Sequence, residues 1–167
     1  MNLLLERSKF VEYYTYLDPI FAAAPELAKF TYLVSDLEIA GEIDERVANG
    51  PLVIQGRELR AIVEENKVQF IWAVLSAFDY HPKIPDQLPY ADGNSGFWVG
   101  SPRPQLRDAK LEIVCWDSGA TLFIGLDPSI AEKIRQRFPD IQDLDAYNEN
   151  GANQTPEPTA PSGRGSA

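Results

Sequence analysis

Few side chains in this sequence are suited to acid–base or nucleophilic chemistry. It holds one histidine, His81, and one cysteine, Cys115. A Ser/His/Asp or Cys/His system would have to use His81, which sits in Asp79-Tyr80-His81-Pro82. No serine or cysteine occupies a nucleophile motif such as Gly-x-Ser-x-Gly, so His81 reads as a loop histidine with a structural or surface role. Cys115 falls in the apolar run Leu111 to Trp116, where a thiol is expected to act as a small buried hydrophobe. One Cys and one His cannot build a typical closed zinc site. A magnesium or calcium site would draw on Asp36, Glu38 and Glu112, but no calcium-loop spacing is present. With 25 acidic side chains, carboxylate pairs of the glycosidase kind arise by number alone. Gly93-Asn94-Ser95-Gly96 lacks the Lys-Ser/Thr and the following helix of a phosphate loop. No cofactor is expected.

The elements that would position these groups read as an α+β domain, a mainly antiparallel sheet with helices packed on it. The clearest signal is Leu111 to Phe138, a hairpin feeding a helix. Asp117-Ser118-Gly119 suits a three-residue loop, with Asp117 and Ser118 right-handed and Gly119 left-handed. Trp116 then lies opposite Ala120, Cys115 opposite Thr121 and Val114 opposite Leu122. One face carries Leu111, Ile113, Cys115, Thr121 and Phe123. The other carries Val114, Trp116, Ala120, Leu122 and Ile124, with Glu112 at its end. Two apolar faces predict central strands covered on both sides. Asp127-Pro128 starts the helix, and Ile130, Ile134 and Phe138 form its buried stripe.

Upstream, residues 3–17 read as a helix whose apolar face holds Leu3, Phe10, Tyr13, Tyr14 and Leu17. Asp18-Pro19 and Pro25-Glu26 predict short helical turns. Phe30 to Val34 reads as a strand that continues through Leu37 and Ile39, with Asp36 and Glu38 on one polar face. Glu42 to Ala48 is expected to be a helical turn closed by Asn49-Gly50. Leu52-Val53-Ile54 is a short strand, Gly56 turns the chain, and Arg57 to Glu65 is a helix with Leu59, Ile62 and Val63 inward. Val68 to Phe78 is a strand with Phe70, Trp72, Val74 and Phe78 on one face. Residues 79–96 form a long loop, the kind that in compact domains is functional or disordered; its prolines and tyrosines favour order. Phe97-Trp98-Val99 reads as a short strand. Residues 1–147 are expected to be one globular domain, and 148–167, almost without apolar anchors, a disordered tail.

Composition narrows the function. The 44% hydrophobic content suffices for a core, and the net charge is −10. That charge disfavours nucleic acid and anionic membranes as partners and is compatible with a basic protein. RNA-recognition and helix-turn-helix signatures are absent. Met-Asn-Leu-Leu-Leu-Glu-Arg has no basic n-region and too short an apolar run for a signal peptide, so a cytoplasmic location is expected.

The order Leu52-Val-Ile-Gln-Gly-Arg-Glu-Leu-Arg-Ala-Ile-Val-Glu-Glu-Asn, then Val68-Gln-Phe-Ile-Trp-Ala-Val-Leu-Ser-Ala-Phe, then the hairpin, then Phe138-Pro-Asp-Ile-Gln-Asp-Leu-Asp-Ala-Tyr-Asn resembles small acidic bacterial immunity proteins of polymorphic or contact-dependent toxins. The resemblance is one of pattern and carries over no catalytic residues. It implies a non-enzymatic role: binding a cognate, nuclease-like basic toxin domain and occluding its active site. On that reading Asp36, Glu38, Glu42, Asp44 and Glu45 meet basic residues, with His81 and Asp92 in the adjoining loop. Tyr80, Tyr90 and Trp98 are the aromatic anchors. Two alternatives stand beside it. One is a small enzyme or ligand binder with residues 79–98 as a lid and His81 and Asp79 as its polar groups, for which a cavity of roughly 300 Å³ or more beside His81 would speak. The other is an adaptor or chaperone for a secreted effector.

Overall fold

A computed structural model describes residues 1–40 and 50–152. Among them, strands β1 (Leu3–Glu6), β2 (Thr31–Ala40), β3 (Leu52–Gln55), β4 (Gln69–Phe78), β5 (Leu111–Trp116), β6 (Ala120–Ile124) and β7 (Gln142–Asp143) form one sheet. The order is β3-β2-β4-β5-β6-β1-β7, and every neighbouring pair is antiparallel. The helices are α1 (Asp18–Ala23), α2 (Gly56–Asn66), α3 (Pro128–Arg137) and α4 (Leu144–Ala152), with 3-10 turns at Pro25–Lys29 and Ser95–Trp98. This is the expected α+β architecture.

The hairpin register is as read from the sequence: Trp116 faces Ala120, Cys115 faces Thr121 and Ile113 faces Phe123. Its two faces enter two cores. Leu111, Ile113, Cys115 and Phe123 pack with Ile20 and Phe21 of α1, Leu59, Ile62 and Val63 of α2, and Ile130, Ala131 and Ile134 of α3. Val114, Ala120, Leu122 and Ile124 pack on the other side with Val74, Ala91, Phe97 and Leu144 of α4. Helices α1 to α3 therefore cover one face. The long loop and α4 cover the other.

The turn itself differs from expectation. Asp117 and Ser118 both have positive φ, 45° and 55°, and the Gly119 amide donates to the Trp116 carbonyl at 2.9 Å. This is the primed turn, whose twist matches that of the strands, and Asp tolerates the left-handed region better than most residues. The Ser118 amide also donates to the Ile71 carbonyl at 3.0 Å, tying the turn to β4.

The predicted helix over 3–17 is not there. Leu3, Leu4 and Leu5 are each 0% exposed in β1, between β6 and β7. Leu3 and Leu5 enter the helix-side core and Leu4 the loop-side core. A leucine run buried on both faces of a sheet has no helical periodicity to betray it, and tertiary pairing overrides helix propensity. Residues 7–17 instead wrap the sheet, with the Thr15 hydroxyl donating to the Phe70 carbonyl at 2.6 Å.

Strand β4 also departs from simple alternation. Ile39 pairs with Phe70 but Glu38 pairs with Trp72, so Ile71 is an extra residue. The bulge moves Phe70 to the helix-side core with Ala73 and Leu75, away from Trp72 and Val74. The expected strand at Phe97-Trp98-Val99 is the 3-10 turn Ser95–Trp98 with Val99 as its C-cap, started by Asn94, whose side chain accepts from the Gly96 amide at 3.0 Å. The expected domain end at Tyr147 falls inside α4. Asn148 is 3% exposed, and the helix continues to Ala152. Residues 153–167, the rest of the expected tail, and 41–49, with the expected turn Glu42 to Ala48, lie outside the described residues.

Gly56 opens α2 at a close approach. Its amide donates to the Phe30 carbonyl at 2.8 Å, and an added Cβ would lie 2.7 Å from that oxygen and 3.0 Å from the Ala28 backbone. Backbone cannot yield as a flexible side chain does. Gly56→Ala is therefore expected to lower stability by about 1–3 kcal/mol, despite alanine's better helix propensity. Urea unfolding of the two proteins measures the difference.

Candidate functional site

All three tryptophans of the chain converge on the loop-covered face. Trp116 ends β5. Its ring meets Trp72 of β4 edge-on, with centroids 5.1 Å apart and planes at 71°. It meets Trp98 of the 3-10 turn at 5.2 Å and 86°, and Phe97 at 6.3 Å. Tyr147 of α4 extends the row, 6.0 Å from Trp98. Sheet register explains the meeting. Ala73 pairs with Cys115, so the next residues outward, Trp72 and Trp116, share a face at the end of the β4–β5 pair. Phe97 is buried, whereas Trp72, Trp98 and Trp116 are half-buried and Tyr147 is 39% exposed. The row forms a strip that is packed below and open above.

Two exposed carboxylates flank it. Glu38 is the β2 partner of Trp72 and shares its face. Asp117 follows Trp116 in the turn. An aromatic centre with an acidic rim offers area to an apolar surface and attraction to cations, by charge and by the ring faces.

The long loop runs on past the expected residue 96 to Lys110, between β4 and β5, and is fastened beside the strip at many points. The Ser35 hydroxyl donates to the Pro89 carbonyl at 2.7 Å. Asn148 Nδ2 donates to the carbonyls of Phe97 and Gly100 at 3.1 and 2.9 Å. Asn2 Nδ2 donates to the Pro102 carbonyl at 2.9 Å and to Asp145 Oδ1 at 2.8 Å. The Lys110 amide donates to the Ala77 carbonyl at 2.8 Å. With Ala91 and Phe97 buried beneath it, the loop is a layer of the fold.

Glu112 lies under this layer, 0% exposed, and Ser76 Oγ donates to its Oε1 at 2.9 Å. Burial pushes its carboxyl above the ordinary glutamate range, opposed by the Gln105 amide, the Ser76 hydroxyl, the Leu106 amide and the Gln105 side chain. It is a buried support of the loop and is not placed to ligate a metal from solvent. A carboxyl raised in the folded state holds a proton that the unfolded chain has lost. Its contribution therefore falls as pH rises from the ordinary glutamate range through the raised value. Glu112→Gln, neutral throughout, is expected to gain stability relative to wild type across that window. Denaturation midpoints at stepped pH read this out, and parallel pH profiles would contradict it.

The expected site residues divide between two surfaces. Glu38 and Trp98 join the strip. Asp36 has φ 49° in the β2 bulge, and its Oδ2 accepts from the Ala91 and Asp92 amides at 2.7 and 2.8 Å. It clasps the loop, which corrects its expected role as a free acidic contact, and Asp92 is an exposed residue of that clasp. Glu42, Asp44 and Glu45 lie outside the described residues. Tyr80, His81 and Tyr90 are exposed along the outer limb of the loop. His81 lines a cavity of about 470 Å³. Sequence reasoning missed Trp72, Trp116, Asp117 and Tyr147 as surface residues. The parity that puts Trp72 with Val74 and Trp116 with Val114 was legible. The β4–β5 register that joins them was not.

The other chemical candidates are held apart. Cys115 is 0% exposed, and burial pushes its thiol well above the usual range, so it is neither accessible nor a thiolate. No group of three or more His, Cys, Asp or Glu side chains that could hold a metal ion occurs among the described residues, and no helix among them is long and apolar enough to cross a membrane. No protein-family model, no curated protein and no solved structure matches this chain.

Proposed function

We propose that this chain is an immunity-type protein that captures a basic toxin domain on its tryptophan strip and covers that domain's active site. The observation that carries the reading is the aromatic row Trp72–Trp116–Trp98–Tyr147, half open to solvent, with Glu38 and Asp117 exposed beside it. Hot spots concentrate in aromatic anchors ringed by polar groups, and acidic rims speed capture of basic partners. A rigid platform loses little entropy on binding. The net charge of −10 favours the same kind of partner.

Co-expression with a basic C-terminal toxin domain encoded beside it tests the reading. Wild type is expected to restore growth and co-purify. Trp98→Ala is expected to weaken the complex by about 2 kcal/mol or more, and Glu38→Lys to slow association in a salt-dependent way. Both variants should keep the wild-type far-ultraviolet circular dichroism. A toxin domain that neither co-purifies nor is neutralised would sink the proposal.

A second reading, a small-ligand binder, is favoured by the cavity of about 470 Å³ beside His81. The fastening of the loop at Ser35, Asp36, Asn2 and Asn148 speaks for a preformed recess rather than one closed by a hinged lid. A thermal-shift screen of small anions would reveal such a ligand.

A further inference from the structure

We infer that the outer limb of the long loop forms a second recognition groove, shaped for an extended peptide segment with apolar side chains and a carboxylate toward one end. This does not rest on the toxin-binding reading, because the groove shares no residue with the tryptophan strip. Two cavities make it. The one beside His81, about 470 Å³, is walled by Tyr80, Pro82, Lys83 and Arg107. The next, about 750 Å³, is walled by Leu88, Pro89, Tyr90 and Gln105. Pro85 and Leu106 line both, so the two run into one another between the 80–90 and 105–108 limbs. A trough of that extent suits a chain better than a compact molecule.

Its apolar character is held out in water. Tyr80, Leu88 and Tyr90, which line the two cavities, are 50%, 37% and 52% exposed, and Ile84 on the same limb is 50% exposed. All four fall on the 80–90 limb, and exposed apolar side chains that recur along one segment beside a groove are a feature of interaction surfaces. The limb is also preformed. Pro82 and Pro89 are buried, and Pro89 is held by Ser35. Pro82-Lys83-Ile84-Pro85 has the spacing of a polyproline ligand. Burial of Pro82 makes the limb the wall of a groove and rules it out as the guest in another protein's groove.

Charge sets the polarity of the guest. The chain has 25 acidic and 15 basic side chains. At the His81 end the balance reverses: Lys83 and Arg107 line the cavity with His81, against Asp108 alone. Neither Lys83 nor Arg107 has an ion-pair partner among the described residues, whereas the nearby Lys110 is paired with Asp79 at 2.9 Å. The carboxylate of the guest belongs at this end, and its apolar side chains lie along Pro85, Leu106 and Leu88 toward Tyr90.

A phage-displayed library of random dodecapeptides, panned on the full chain, supplies the probe. Enriched sequences are expected to place Asp or Glu beside apolar residues. A labelled peptide from that pool should bind in an anisotropy titration and weaken as salt rises. Lys83→Glu with Arg107→Glu should weaken it about tenfold or more, as should Tyr90→Ser, while Trp98→Ala leaves it unchanged. Lys83, Arg107 and Tyr90 are exposed and Trp98 is half-buried, and far-ultraviolet circular dichroism checks the fold. Failure to enrich any sequence, enrichment without carboxylates, or affinity indifferent to the groove substitutions would each overturn the inference. A small anion that binds the His81 cavity while no peptide does would do the same.

Discussion

Leu4→Asp is expected to abolish cooperative folding. Leu4 is 0% exposed, opposite Leu122 of β6 on one side and Gln142 of β7 on the other. Its side chain points into the loop-side core among Val74, Val114 and Leu122. Among the described residues no lysine, arginine or histidine is buried, so an ionised carboxylate there would lack a buried counter-charge, and a protonated one would still sit among apolar side chains. Either costs several kcal/mol. A domain of this size has about 5–15 kcal/mol of net stability. Leu4→Ala isolates the packing part and should cost about 2–5 kcal/mol with a cooperative transition retained. Thermal melts followed by far-UV circular dichroism separate the two. A sharp, near-native melt for Leu4→Asp would mean that residues 3–6 are not a central strand.

Trp116→Ala has the second-largest expected effect, because one ring does two jobs. It touches Trp72, Phe97 and Trp98, so its loss opens a cavity under the turn Ser95–Trp98. Since Trp116 is only half-buried, the cost should fall toward the lower end of the roughly 3–5 kcal/mol seen for large aromatic truncations. The same change removes the middle of the strip and lets Trp72 and Trp98 turn independently. Partner affinity should therefore drop further than for Trp98→Ala, even at a temperature where the variant is fully folded. Trp116→Phe keeps much of the packing and less of the surface. It is expected to restore most of the melting temperature but only part of the affinity. Equal recovery of both would show that the strip acts only through stability.

The parts of this fold that were legible in the sequence are those that local chemistry decides. Asp117-Ser118-Gly119 fixed how β5 meets β6, although the turn uses left-handed Asp117 and Ser118 instead of Gly119. Asp127 caps α3 by accepting from the Ser129 amide at 2.8 Å, and the Ile130 and Ile134 stripe is buried as its spacing required. What local chemistry does not decide was lost. Leu3-Leu4-Leu5 carries no period that separates a strand buried on both sides from a helix. Ile71 gives no sign that it will bulge and send Phe70 to the opposite face from Trp72. The same limit governs the candidate sites. Trp72 and Trp116 could each be assigned to a face, but their meeting with one another and with Trp98 depends on long-range pairing. Tyr80 and Tyr90 stood out because exposed aromatics in a proline-rich loop are visible in one stretch of chain. Asp36 read as one acid among five, since nothing nearby shows that it will grip two amides in a loop some fifty-five residues away.

The row of three indoles also makes the molecule spectroscopically lopsided. At centroid separations of 5.1 and 5.2 Å, the rings are coupled, and excitation of one is shared with its neighbours. Every tryptophan signal therefore reports on the loop-covered face, and none on the packing of α1, α2 and α3. Emission and near-ultraviolet dichroism would register a loosened loop or a bound partner while the helical layer stays intact. A mismatch between those signals and far-ultraviolet dichroism during unfolding would reveal that the two faces of one sheet let go at different points.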